Sequence, residues 1–130
     1  MLEFLKIAGV ATIIFFAVDM VWLGLIAKKL YAKELKDFLS PKVNWPAAII
    51  FYLIFILGLA FFVITPALDG LGLTYAIFAG AFFGFVCYST YDLTNLATMK
   101  NWPLKITLID LAWGAFISSA VSTITYLLLI

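Results

Sequence analysis

The sequence has no arginine and no histidine, a single cysteine, and only eight lysines against seven acids in 130 residues. Without arginine, and at a formal net charge of +1, it offers no basic stripe interleaved with exposed aromatics, so nucleic acid is excluded as a partner. Cys87 alone makes no intrachain disulfide, and neither a CxxC nor a Cys/His spacing is present, so no metal and no cofactor are expected. The scarcity of charge is the most restrictive absence. A folded surface needs polar residues to face water, and a chain that is 66% apolar with a mean hydropathy of +1.17 cannot supply them. Lipid is therefore its solvent. A spanning helix takes about 20 residues, which leaves room for four or five spans and no separate soluble domain.

Four apolar runs follow. The first, Ile7–Ala27, is interrupted only by Asp19 and stopped by Lys28-Lys29. A cleaved signal peptide is the competing reading, but no small-x-small site follows and a lysine pair after an apolar run is a stop-transfer pattern. The second run, Ala47–Ile64, lies between Pro46 and Pro66. The third begins near Leu73, after Asp69-Gly70-Leu71-Gly72, and continues in a more polar vein to about Met99. The fourth follows Asn101-Trp102-Pro103. The reading is an all-α polytopic membrane protein, one integral membrane domain over residues 1–130. Its four transmembrane helices form a bundle at about 4–27, 46–65, 72–98 and 103–129.

Lys28, Lys29, Lys33, Lys36, Lys42, Lys100 and Lys105 lie in or beside loops one and three, and only Lys6 lies opposite. That bias predicts loops one and three in the cytoplasm and both termini outside, in a bacterial inner membrane. Within loop one, Tyr31, Leu35 and Phe38 recur at helical spacing with lysines on the other faces. A short amphipathic helix over about 28–40, ended by Ser40-Pro41, is expected. It would lie at the headgroups or extend span one, and its lysines could meet anionic lipid.

Two triplets echo each other: Asn44-Trp45-Pro46 before span two and Asn101-Trp102-Pro103 before span four. Interfacial anchoring by Trp and helix initiation by Pro explain both, and an old duplication would too. A second recurrence, Asp19-x-x-Trp22 and Asp110-x-x-Trp113, does not share that offset.

Three acids lie inside apolar runs. Asp19 is nine residues before Lys28, Asp92 eight before Lys100 and Asp110 seven after Pro103. At a rise of ~1.5 Å per residue all three fall ~10–14 Å from the same boundary. Each costs ~2.5–3.5 kcal/mol to insert, and such acids face a bundle interior or a wet cavity. No cationic side chain shares their depth, so they must be protonated, hydrogen-bonded or occupied by a cation. Spacing of three puts Trp22 on the face of Asp19 and Trp113 on the face of Asp110. Span three adds Tyr88, Asp92 and Asn95 on one stripe, with Tyr91 beside them. Tyr52 and Thr65 in span two carry less information.

Ala76, Gly80 and Gly84 form a small-xxx-small ridge, answered by Gly114, Ser118 and Ser122 in span four. Close helix packing is its expected use, although a homodimer seam would look the same. Cys87 reads as a buried packing residue, with no cation near to activate it.

Tyr91-Asp92 and Asp110 superficially resemble the aspartate pair of presenilin-like intramembrane proteases, but the glycine-rich half of that signature is missing around Ile109-Asp110-Leu111. A wider match exists. Asp19-x-x-Trp22-Leu23-Gly24, Asn44-Trp45-Pro46-Ala47-Ala48 with Phe51-Tyr52, Pro66-Ala67-Leu68, the string Tyr88 to Thr98, and Asp110-x-x-Trp113-Gly114 resemble a bacterial family catalogued as domain of unknown function 2177. The resemblance covers nearly the whole chain and implies a small integral inner-membrane protein of four helices.

The functional expectation is a proton- or cation-linked transporter, or a small-ligand-binding membrane protein. Its site would be Asp19, Trp22, Tyr88, Tyr91, Asp92, Asn95, Asp110 and Trp113 in the cytoplasmic half. The alternatives are a membrane enzyme acting on lipid, or a structural protein in which the acids only glue helices together. Membrane lipids, a homodimer partner through the GxxxG face and an unidentified small molecule or ion are the partners considered.

Overall fold

The computed structural model of the chain describes residues 2–38, 42 and 44–130. Helix α1, Leu2–Val21, runs on through one wider π turn, Trp22–Ile26, giving a continuous rod Leu2–Ile26. The buried Ala27 forms a corner: its N–H reaches back to the Trp22 carbonyl at 2.7 Å. A short helix α2, Lys28–Glu34, starts there. Helix α3, Trp45–Leu59, is capped by the Asn44 side chain, which accepts from the Ala47 N–H at 3.2 Å, and passes into a second π turn, Ala60–Ile64. Helices α4, Gly72–Thr98, and α5, Leu104–Leu129, complete the chain, and no strand occurs among the described residues. In lipid every backbone donor must be satisfied within its own segment, which is what helices of this length do.

Three helical stretches are long and apolar enough to cross a membrane, and the middle one covers 54 residues, Trp45–Thr98. It doubles back. Gly70 and Gly72 adopt φ of 133° and 83°, values open to glycine and poorly tolerated by residues with a Cβ. Beyond this bend Tyr75 donates its hydroxyl to the Phe62 carbonyl at 2.9 Å, and the Phe83 and Tyr88 rings in α4 meet Phe55 in α3 at tilted and edge-on angles. Later residues of α4 thus meet earlier residues of α3, so the two run antiparallel and four rods form the bundle.

Helices α4 and α5 form the tightest seam. Gly80, Gly84 and Gly114 let the backbones approach: a Cβ on Gly84 would overlap the Gly114 carbonyl and Ser118, and one on Gly114 would overlap the Tyr88 ring. Ser119 also donates across the seam to the Ile77 carbonyl at 2.8 Å. Between helices in lipid this contact, rather than removal of apolar surface from water, supplies the attraction. Ala76, Gly80, Gly84, Gly114, Ser118 and Ser122 are buried within the chain, so the GxxxG face is taken up by α5. On the other side α1, α3 and α5 share an apolar core of Phe15, Ile56, Leu59, Ile117 and Val121. Phe78, Phe82, Ile54 and Phe61 point outward, as lipid-facing residues do.

The loop-one segment differs from expectation. Its helix ends at Glu34 because Leu35 leaves helical geometry, turning Leu35 and Phe38 onto Trp102 and Ile106. Its apolar face packs on the bundle end, and a Lys105–Glu34 ion pair at 3.8 Å sits at the edge. The expected stop at Ser40-Pro41 lies outside the described residues. The two Trp triplets also part company. Trp45 is 64% exposed, in keeping with an anchor, whereas Trp102 is 6% exposed and donates its indole N–H to Thr107 at 3.1 Å.

Candidate functional site

At the bundle end that carries loops one and three, the helices enclose a cavity of about 350 Å³. Helix α1 and the π turn that follows it contribute Asp19, Trp22 and Leu23, and α3 contributes Phe51 and Tyr52. Cys87, Tyr88, Tyr91 and Asp92 come from α4, Asp110 and Trp113 from α5, and Tyr31 from α2. No lysine is among these residues.

Asp92 is fully buried, and among the described residues neither of its carboxyl oxygens receives a hydrogen bond from a neutral donor; the group it meets is the Asp110 carboxyl. It adjoins Asp110 across the α4–α5 seam, where close packing brings the two acids together. Asp19, also buried, lies beside the Trp113 indole and the Tyr52 phenol. The Trp113 N–H itself makes no hydrogen bond of regular geometry. Trp22 and Trp113 stack with ring centroids 4.4 Å apart and planes 10° from parallel.

Tyr31 closes the cavity from α2. It accepts the Trp22 indole N–H at 3.3 Å and donates its hydroxyl to Asp110. Burial, together with the adjoining Asp110, pushes the Tyr31 phenol well above its ordinary value, so it stays a protonated donor.

Seven of the eight residues singled out in the sequence line this cavity. Asn95 does not: it lies one turn further toward the end of α4, next to Tyr91. The indole donors are also crossed relative to the sequence spacing. Trp113 rather than Trp22 approaches Asp19, and Trp22 reaches Asp110 only through Tyr31. Cys87, read as a buried packing residue, is half-buried on the cavity wall. Tyr31, Tyr52, Leu23 and Phe51 were missed as site residues; the one available signal was that Tyr31 is a hydroxyl-bearing member of the apolar stripe of loop one.

Among the described residues no group of three His, Cys, Asp or Glu is gathered closely enough to hold one metal ion. A second cavity of about 530 Å³ lies at the opposite end, between the chain termini and the α3–α4 bend, with Glu3, Lys6 and Asp69 at its walls. It contains both signs of charge and no buried unpartnered acid.

The family model described as "Predicted membrane protein (DUF2177)" matches residues 4–127, and the chain belongs to that family. No curated protein and no solved structure matches it.

Proposed function

We propose that this member of the DUF2177 membrane-protein family is a small-ligand-binding protein of transporter type, whose Asp19, Asp92 and Asp110 form a proton-bearing site. The observation that carries the reading is the meeting of three acids from three helices at one cavity that no basic side chain lines. Two carboxyl groups as close as Asp92 and Asp110 in a low-dielectric site repel when both are ionised, so an empty site holds a proton between them. A ligand or cation can take that proton's place.

Interhelical glue is the main competitor, and it accounts poorly for Asp92. Glue works by hydrogen bonds, worth ~0.6–2 kcal/mol each between membrane helices. The partner Asp92 meets is a second acid, Asp110, so a bond between them requires a shared proton. An acid pair that must hold a proton in a membrane interior costs stability that a neutral pair would avoid, and such intramembrane acids mark a candidate site.

The same reading puts the cavity toward the cytoplasm of a bacterial inner membrane, from the lysine excess around loops one and three. Its test is chemical. A carbodiimide adds to protonated carboxyl groups in apolar surroundings and leaves an N-acylurea. The full chain in liposomes at neutral pH should gain one adduct, mapped by mass spectrometry to Asp92 or Asp110 and lost in the Asp92→Asn, Asp110→Asn double variant. If neither residue reacts, the proton-bearing reading falls.

A further inference from the structure

Resting on the proton-bearing reading, we infer that the ligand of this cavity is an organic ammonium cation with an apolar body, which enters from the lipid and displaces the proton. Four features select that class. First, the cavity offers carboxyl groups and no cation, so an anionic or phosphate-bearing ligand would meet only repulsion. Second, its remaining walls are largely aromatic. The Trp22–Trp113 stack, Tyr52 and Tyr88 present ring faces and edges around the acids, and aromatic faces attract ammonium groups that have shed water.

Third, the acids are divided. Asp92 and Asp110 adjoin, whereas Asp19 is paired with Tyr52 and Trp113, and the three do not gather as ligands of one compact metal ion. A substituted ammonium is large enough to lie between them. The buried Asp92 carboxyl, which meets Asp110 and no neutral donor among the described residues, marks the place where its charge would be neutralised. Fourth, the rim faces lipid. Leu23, Phe51 and Tyr91 line the cavity yet are 36%, 47% and 60% exposed. They lie roughly 7–14 Å inside their spans, counted from Lys28, Trp45 and Lys100 at the helical rise. A ligand crossing that rim passes through hydrocarbon, so it needs an apolar portion. Charge balances in the exchange: one ammonium enters as one proton leaves for bulk water.

The test uses protection from carbodiimide labelling in nanodiscs of neutral lipid, with three probes sharing one tail: hexyltrimethylammonium, 1-hexanol and hexanesulfonate. Saturating hexyltrimethylammonium should lower the adduct yield at Asp92 or Asp110 at least tenfold, and the alcohol and the sulfonate less than twofold. Trp113→Leu, judged against its own unprotected labelling, should raise the half-protecting concentration of the cation about tenfold. If hexanol protects as well as the cation, the cavity is merely apolar and the inference is overturned. If labelling proceeds and no probe protects, the inference is overturned while the proton-bearing reading stands. If labelling is absent from the start, that reading fails and the inference fails with it. The probe series on the unaltered chain decides the matter even where Trp113→Leu does not fold.

Discussion

The Tyr31 hydroxyl donates to the Asp110 carboxyl, and that single bond ties the loop-one helix to the floor of a cavity built by residues 79 positions away. Because Tyr31 also accepts the Trp22 indole N–H, removing the hydroxyl orphans a donor and an acceptor together. Tyr31→Phe should lower stability by about 1–3 kcal/mol. Hydrogen exchange should locate the loss, with Lys28–Glu34 losing protection ahead of the spans. Unchanged protection there would mean that Leu35 and Phe38 alone hold α2 in place.

Packing of α4 on α5 gives a second prediction. Gly84→Ala places a methyl group on the Gly114 carbonyl and Ser118, and the helices must part. A loss of about 1–3 kcal/mol is expected from such overpacking. Gly9→Ala, whose new methyl meets nothing within 4 Å, should be neutral or gain up to about 1 kcal/mol from helix propensity. Chemical denaturation in one detergent compares the two. Equal effects would show that the seam is looser than its geometry.

The two Trp triplets look alike in sequence and should respond differently. Trp102→Ala empties a buried site and removes the indole donor to Thr107, whose hydroxyl keeps its bond to the Pro103 carbonyl, for an expected cost of about 3–5 kcal/mol. Trp45→Ala removes an exposed ring and should cost within about 0.5 kcal/mol. Thermal melts of the two variants check this, and a larger loss at Trp45 would reverse the assignment.

Orientation is a fourth expectation. With seven of eight lysines around loops one and three, a reporter fused after Ile130 should read as outside the cytoplasm. Moving lysines to the Asp69–Gly72 bend should weaken or invert that result. A cytoplasmic signal from the unaltered chain would overturn the orientation and the placement of the cavity with it.

These predictions differ in how far they could be drawn from sequence. The four helices, and the gathering of Asp19, Asp92 and Asp110 at one level of the bundle, were legible because each depends on one segment: apolar length, bounding lysines and a fixed rise per residue. The small residues Gly80, Gly84, Gly114 and Ser118 were legible as close-packing candidates for the same reason. Which helix meets which was not. Spacing of three identified the faces of Trp22 and Trp113, but the crossed arrangement, Trp113 toward Asp19 and Trp22 toward Tyr31, depends on how α1 and α5 are set against each other. The π turn at Trp22–Ile26 and the corner at Ala27 carry no distinct composition, and they redirect α2 so that Tyr31 covers the cavity. Trp102 was misread as an anchor because its burial comes from Leu35 and Phe38, more than sixty residues earlier.

The most direct test of the account is the protonation state of the Asp92–Asp110 pair. Infrared spectroscopy of the full chain in neutral lipid, free of added cationic ligand and at neutral pH, distinguishes the carbonyl stretch of a protonated carboxyl from the bands of a carboxylate. The account predicts a protonated-carboxyl band that disappears in the Asp92→Asn, Asp110→Asn double variant and diminishes when hexyltrimethylammonium is added. A spectrum in which the unaltered chain carries no such band, with both acids ionised, would contradict it.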